Sequence, residues 1–238
     1  MRLLKRLPDG TEYFSDDRFI YAKKGPDTFK LALFDNGFYR LRLFNDVPIL
    51  EIDGVRMHLV KDFKTPLDYS KMVVRKLGLK PKERVLDTCM GLGYTAMAAS
   101  HAAGTVVTCE ISQAVFTLAE WSPWSAELFK SGKIEAMLGD ISQRIREFPS
   151  SSFDAVIHDP PRFSKAGELY SLEFYKELRR VLKDGGRLFH YVGSVGEGKG
   201  RKISEEVAGR LGQAGFSRIR HDPLAQGVFA LASVSRRR

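Results

Sequence analysis

The sequence predicts an α/β protein, a doubly wound and mostly parallel sheet preceded by a small antiparallel β unit. Three observations carry that expectation. Short apolar, β-branched runs alternate with helical periods from Leu67 to about residue 222, and repeated β-α units build a parallel sheet with helices on both faces. Before Thr65-Pro66, by contrast, short aromatic and β-branched runs follow one another with only turn signals between them. Finally, Arg84 to Ala96 passes from an apolar run through Gly91-Leu92-Gly93 into an Ala-rich helix, a strand–turn–helix whose glycines allow a ligand close to the backbone.

The N-terminal candidates for strands are Thr11–Phe14, Phe19–Ala22, Phe29–Phe34, Phe38–Phe44, Ile49–Ile52 and Val55–Leu59. Pro8-Asp9-Gly10, Gly25-Pro26, Asp35-Asn36-Gly37 and Asp53-Gly54 punctuate them, the last being a good hairpin signal. Alternation in Tyr39-Arg40-Leu41-Arg42-Leu43 sets both arginines on one face. After Pro66 a helical period over Leu67–Leu77 stops at Gly78, a C-cap signal. Then come strand Val85–Asp87 and helix Tyr94–Ala102, strand Thr105–Glu110 and helix Gln113–Trp121, with Pro123 breaking the latter before a second short segment. Ile134–Leu138 leads to Ile141–Phe148, and Phe153–His158 leads through a loop to helix Leu172–Leu182. Asp184-Gly185-Gly186 reads as a turn before strand Arg187–Val192. Helix Glu205–Ala214 precedes strands Phe216–His221 and Val228–Val234, which are joined by a loop and should pair antiparallel at an edge. Seven strands result, and the domains are expected at residues 1–64 and 65–238.

At 238 residues and 43% hydrophobic content the chain can bury a sizeable core. No apolar run reaches the ~18 residues of a membrane span, and Met1–Pro8 lacks the apolar core of a signal peptide, so a cytoplasmic protein with no membrane partner is expected. Cys89 and Cys109 form neither a disulfide framework nor a Cys/His cluster, so no metal is expected and both read as small buried hydrophobes. The formal charge is +9 at pH 7, with small basic groups at Met1–Arg6, Lys199–Lys202 and Arg236–Arg238. This suits either a phosphate-rich partner or a solvated surface. The oligomeric state is open between a monomer and a homodimer.

In parallel α/β sheets ligands bind at the carboxyl ends of the strands. Four acids stand there in succession: Asp87, Glu110, Asp140 and Asp159. Any one could be a helix cap, but four on one rim suit a ligand rich in hydroxyl and amino donors. With these residues in view, the region 66–238 resembles the class I S-adenosylmethionine-dependent methyltransferases, through Asp87-x-Cys89-x-Gly91-x-Gly93, Glu110, Gly139-Asp140 and Asp159-Pro160-Pro161. The resemblance implies a Rossmann-like seven-stranded sheet with S-adenosyl-L-methionine as cofactor. It assigns Gly91 and Gly93 to close approach of the methionine part, Glu110 to the ribose hydroxyls, and Asp140 to the adenine amino group. Ile111 would lie against the ring with the Ile141 backbone nearby, Asp87 near the methionine amino group, and Tyr69 and Ser70 near its carboxylate. Asp159 would orient or deprotonate the acceptor, helped by the Pro160 carbonyl, with Arg162 and Phe163 as substrate contacts. Two departures stand out. Cys89 replaces the family's first glycine, and Arg162 follows Asp-Pro-Pro where amino-group methyltransferases usually place an aromatic residue. An uncharacterised archaeal methyltransferase-like group looks similar too.

Leu169 to Leu178 and Leu182-Lys183-Asp184-Gly185-Gly186 further resemble the spermidine synthases, although that group's glycine-rich turn and the second aspartate of its Asp-x-x-Asp loop are absent. An aminopropyltransferase is therefore one rival. An NAD-dependent dehydrogenase is another, since Gly91-Leu92-Gly93-Tyr94-Thr95-Ala96 fits G-x-G-x-x-A. It requires neither Asp87, Asp140 nor the Asp-Pro-Pro loop. A binding protein without transfer activity is the non-enzymatic rival. The methyl acceptor is expected to be RNA or a small molecule. His158 reads as structural because alternation turns it away from Asp159, and Trp121 and Trp124 read as packing residues.

Overall fold

The structure is a computed structural model that describes residues 1–16, 18–193 and 199–234. The basic tail Arg236–Arg238 and the side chains of Lys199–Lys202 lie outside the described residues.

Eight short strands form two antiparallel four-stranded sheets. The first holds β1 (Arg2–Arg6), β2 (Glu12–Ser15), β3 (Ile20–Lys24) and β4 (Asp27–Lys30), and the second β5 (Ala32–Phe34), β6 (Phe38–Phe44), β7 (Val47–Ile52) and β8 (Val55–Arg56). The run expected as one strand, Phe29–Phe34, divides at the buried Leu31, whose N–H donates back to Ile20 before the chain changes sheet. Strand β1 was not foreseen, because its residues are mostly exposed and offer no alternation. The two arginines of β6 do share a face, and both reach Glu51 on β7.

Helix α1 (Pro66–Leu77) starts at Thr65, whose hydroxyl accepts from the Asp68 N–H, and ends at left-handed Gly78 (φ 63°). The remaining elements are β9 (Arg84–Asp87), α2 (Tyr94–Ser100), β10 (Thr105–Glu110), α3 (Gln113–Trp121), α4 (Ala126–Lys130), β11 (Ile134–Leu138), α5 (Ile141–Arg144), β12 (Phe153–His158), α6 (Leu172–Val181), β13 (Leu182–Tyr191), α7 (Lys199–Gln213), β14 (Phe216–Asp222) and β15 (Gly227–Ala232). The seven strands are ordered β11-β10-β9-β12-β13-β15-β14, parallel except for β15, which runs antiparallel to both neighbours. The last two strands thus pair antiparallel at an edge, as expected. Two boundaries moved. Asp184-Gly185-Gly186 stays within β13 as an irregularity, between the pairings Phe153–Leu182 and Ala155–Arg187. The segment Ile141–Phe148 tightens after one α-turn into a 3-10 helix, Ile145–Glu147.

Alternation along the central strands divides the interior in two. Val85, Ala155 and Ile157 face a core made with α1, α2, α3 and the N-terminal sheets. Leu86, Val156 and Leu188 face another made with α5, α6 and α7. Burial on both faces is why these strands read as continuous apolar runs. Chain order reverses between β9 and β12, so the crevice for a ligand opens at their carboxyl ends. The tryptophans join the two parts of the molecule, Trp121 edge-on to Phe29 and Trp124 edge-on to Tyr13.

Candidate active site

The turn after β9 is tied to both neighbouring strands: Thr88 N–H donates to Ile157 O and Met90 N–H to Cys109 O. Gly91 (φ 55°) and Gly93 (φ 75°) adopt the left-handed conformation that other residues avoid. A Cβ on Gly91 would meet open space, whereas one on Gly93 would stand 2.6 Å from Leu128 Cδ2. The first glycine therefore leaves room for a ligand, and the second is needed for packing.

Glu110 closes β10 and locks onto this turn. Its Oε2 accepts the Gly91 N–H at 2.9 Å and its Oε1 the Ser112 N–H at 2.9 Å. Burial raises its carboxyl, partly opposed by those donors. Each oxygen keeps lone-pair capacity for a hydroxyl donor. Beyond it, Ile111 is 67% exposed and Leu138 44% exposed, two apolar side chains bared beside the carboxylate. Gly139 N–H donates to Glu110 O, which fixes the ends of β10 and β11 together. Asp140 caps α5 through the Ser142 N–H, and Ile141 buries its side chain in the core, so the backbone is what Ile141 can offer.

Asp87 is fully buried and accepts from Thr108 (2.7 Å) and Thr95 (3.3 Å). Burial above all, with the charge of Asp159 and that of Glu110, pushes its carboxyl up to about 7 against those hydroxyls. Asp159 is partly buried at the end of β12, and burial pushes it up to about 7 as well. Among the described residues its carboxylate has no hydrogen-bond partner, and no described group donates to the Pro160 carbonyl. Its charge reaches three tyrosines, Tyr69 from α1, Tyr170 before α6 and Tyr191 at the end of β13, whose phenols burial and Asp159 both hold above their usual range. Tyr69 donates to Ala225 O (3.2 Å) and Tyr170 to Pro161 O (3.0 Å). Ser70 turns its hydroxyl back onto Pro66 O of its own helix. Arg162 and Phe163 are exposed on the loop that follows, Phe163 edge-on to Tyr170 at 5.5 Å.

Asp87, Glu110 and Asp159 thus converge, and all three raise the Cys89 thiol, already held well up by burial. Asp140 stands further out, where its charge reaches Cys109 beside Arg144. His158 faces the other side of the sheet, where it bonds Thr88 Oγ1 (2.7 Å) and Leu169 O (3.0 Å) and burial lowers its pKa to about 4. It is fully buried on the face away from Asp159. Tyr170 and Tyr191 were not singled out from sequence as lining residues. Register could have found Tyr191: His158 pairs with His190, so the residues after them share a strand end. A hollow of about 690 Å³ beside Arg2, Asp16, Arg18, Phe19 and Arg42 shares no residue with this rim.

The fold is the Rossmann-like one of class I S-adenosylmethionine-dependent methyltransferases, and part of the chain matches a methyltransferase family. A family described as S-adenosyl-L-methionine-dependent methyltransferase matches residues 105–196, the stretch with Glu110, Asp140 and Asp159-Pro160-Pro161. The chain is 43% identical to an uncharacterised protein of Methanocaldococcus jannaschii over 236 residues, 96% of this chain and 81% of that one. It is 33% identical to polyamine aminopropyltransferase 2 of Streptomyces coelicolor over 123 residues, 48% of this chain and 22% of that protein. In three dimensions it is similar to spermidine synthase from Thermotoga maritima, with TM-score 0.63 at 17% identity over 98% of this chain and 73% of that one, a likeness of fold alone.

The donor set fits the cofactor. Glu110 suits vicinal hydroxyls, and the exposed Ile111 and Leu138 suit an aromatic base.

Proposed function

We propose that the enzyme methylates the nitrogen of a small amine, bound between Asp159 and the tyrosines Tyr69, Tyr170 and Tyr191. The observation that carries this reading is the Asp159 carboxylate, pushed up to about 7 and free of hydrogen bonds to the described residues. An amine arrives protonated and must shed its proton before its lone pair can attack. A carboxylate of this basicity is matched to that transfer near neutrality. The Pro160 carbonyl offers a second acceptor that would aim the nitrogen.

On this proposal, Glu110 holds the ribose hydroxyls of the cofactor, Asp140 and the Ile141 backbone the adenine edge, and Ile111 its face. Gly91 and Gly93 let the backbone approach the methionine portion, Asp87 takes its ammonium, and the end of α1 at Tyr69 and Ser70 borders it. When bound, S-adenosylmethionine supplies a methyl group on a sulfonium, whose S–C bond breaks with the electron pair staying on sulfur. Asp159 would first take the proton of the bound ammonium, and the freed lone pair would then form the N–C bond, the product leaving as a methylammonium. The chain's own contribution is chiefly positioning, since the methyl donor is already activated.

Replacing Asp159 with Ala or Asn tests the role. Cofactor affinity by calorimetry should change little, while kcat falls by about 10²–10⁴-fold. Full turnover in either variant would remove Asp159 from the chemistry.

A second reading, aminopropyl transfer, is favoured by one observation. The charges that act on Asp87 are those of Asp159 and Glu110, so a cofactor carboxylate would meet acids there rather than a cation. The aminopropyltransferase-like segment points the same way. Titration with S-adenosylmethionine, its decarboxylated form and NAD separates these readings, and tighter binding of the decarboxylated compound would favour aminopropyl transfer.

A further inference from the structure

The acceptor loop carries a second charge of opposite sign. Three residues beyond Asp159, Arg162 projects from a backbone that is held on both sides. Its carbonyl accepts the N–H groups of Lys165 (2.7 Å) and Ala166 (3.3 Å), and the carbonyl before it takes the Tyr170 hydroxyl. The guanidinium itself is exposed and has no carboxylate partner among the described residues. Several arginines elsewhere are held by acids, among them Arg40 on Glu51, Arg179 on Asp184, Arg180 on Glu177 and Arg187 on Glu83. Moreover, the Tyr191 hydroxyl lies in the fields of both Asp159 and Arg162, which act on it in opposite directions. The loop after β12 therefore carries a cation at Arg162 three residues from the anion at Asp159, and both act on Tyr191. Lys165, exposed on the same loop, adds to the positive side.

We propose that Arg162 determines specificity by receiving an anionic group of the acceptor, a carboxylate or a phosphate, so that the acceptor is a small amine that also carries such a group. The inference rests on the amine reading above. A diamine is disfavoured, because its second ammonium would face a guanidinium. A planar fork of donors is suited to either oxyanion, which it can bind in bidentate fashion.

The test uses the whole chain loaded with S-adenosylhomocysteine, titrated with butylamine, diaminobutane, aminobutanoate and aminopropyl phosphate. Initial rates with S-adenosylmethionine run in parallel. The two anionic amines should bind and react best, and whichever is better tells carboxylate from phosphate. Arg162→Gln should raise KM for the anionic amines by about tenfold or more and leave kcat and the butylamine values nearly unchanged. Arg162→Glu should turn the ranking toward diaminobutane. Because the side chain is exposed and unpaired, both variants should keep the parent's melting temperature. Equal use of butylamine and the anionic amines, or a ranking that Arg162→Glu leaves as it was, overturns the inference while the amine reading stands. If the S-adenosylhomocysteine-loaded protein binds none of the four amines and the S-adenosylmethionine assay methylates none, both fall together.

Discussion

At the scale of single residues, two carboxyls with raised pKa values, the fully buried Asp87 and the partly buried Asp159, set the behaviour of the site. On the proposed mechanism Asp159 is the base, so kcat/KM should rise with pH through about 7 and then level off. Asp159→Asn should remove that limb along with most of the rate. Asp87 makes a different prediction. Its carboxyl titrates near 3.9 in an unfolded chain and at about 7 in the folded one, so between those values the folded state binds the extra proton. Stability therefore falls as pH rises from about 4 to about 7. Melting curves of Asp87→Asn should lose this part of the slope, and an unchanged profile would mean that Asp87 is ionised throughout. Glu110→Ala should weaken cofactor binding by roughly 10–100-fold, the worth of hydrogen bonds to a charged group, and should also loosen the Gly91 turn. The identity of these acids was legible because each sits at a strand end. Their basicity was not, since it comes from burial by side chains distant in sequence, Tyr69 and Tyr191 among them.

At the scale of elements, the turn after β9 is the sensitive one. Gly93→Ala would place a methyl group against Leu128 at a left-handed backbone position, so a loss of about 1–3 kcal/mol is expected in denaturant titration. Adding Leu128→Ala should relieve the clash but not the backbone strain, and should leave a cavity of its own. Full recovery in the double variant would show that the left-handed geometry costs nothing here. Most central elements could be read in advance because parallel strands and amphipathic helices have distinct periods. The failures have local causes. β1 is exposed and basic, so it lacks the alternation that marks a half-buried strand. Gly185 and Gly186 signal a turn, yet β13 continues through them, Gly186 passing so close to Lys183 O that a Cβ would stand 2.8 Å from it. One division escaped notice because Leu31 looks like any residue of a continuous run, although it marks the change of sheet.

For the molecule as a whole, the N-terminal sheets are bound to the elements that shape the cofactor turn. Tyr94, the first residue of α2, donates to Pro48 O on β7; Tyr13 donates to Trp121 O, and Lys5 to Pro123 O. Tyr94→Phe should cost about 1 kcal/mol and leave the Pro48 carbonyl without this donor, and thermal unfolding checks it. A chain reduced to residues 65–238 would expose the faces of α1, α2 and α3 that the sheets cover, and should be unstable in solution. The bond from Tyr69 to Ala225 reaches across 156 residues and closes the acceptor side from the far end of the chain. Its consequence belongs to the order of synthesis. A ribosome emits Tyr69 and every strand up to β13 before Ala225 appears, so this contact forms only late in synthesis. The wait is imposed by topology alone.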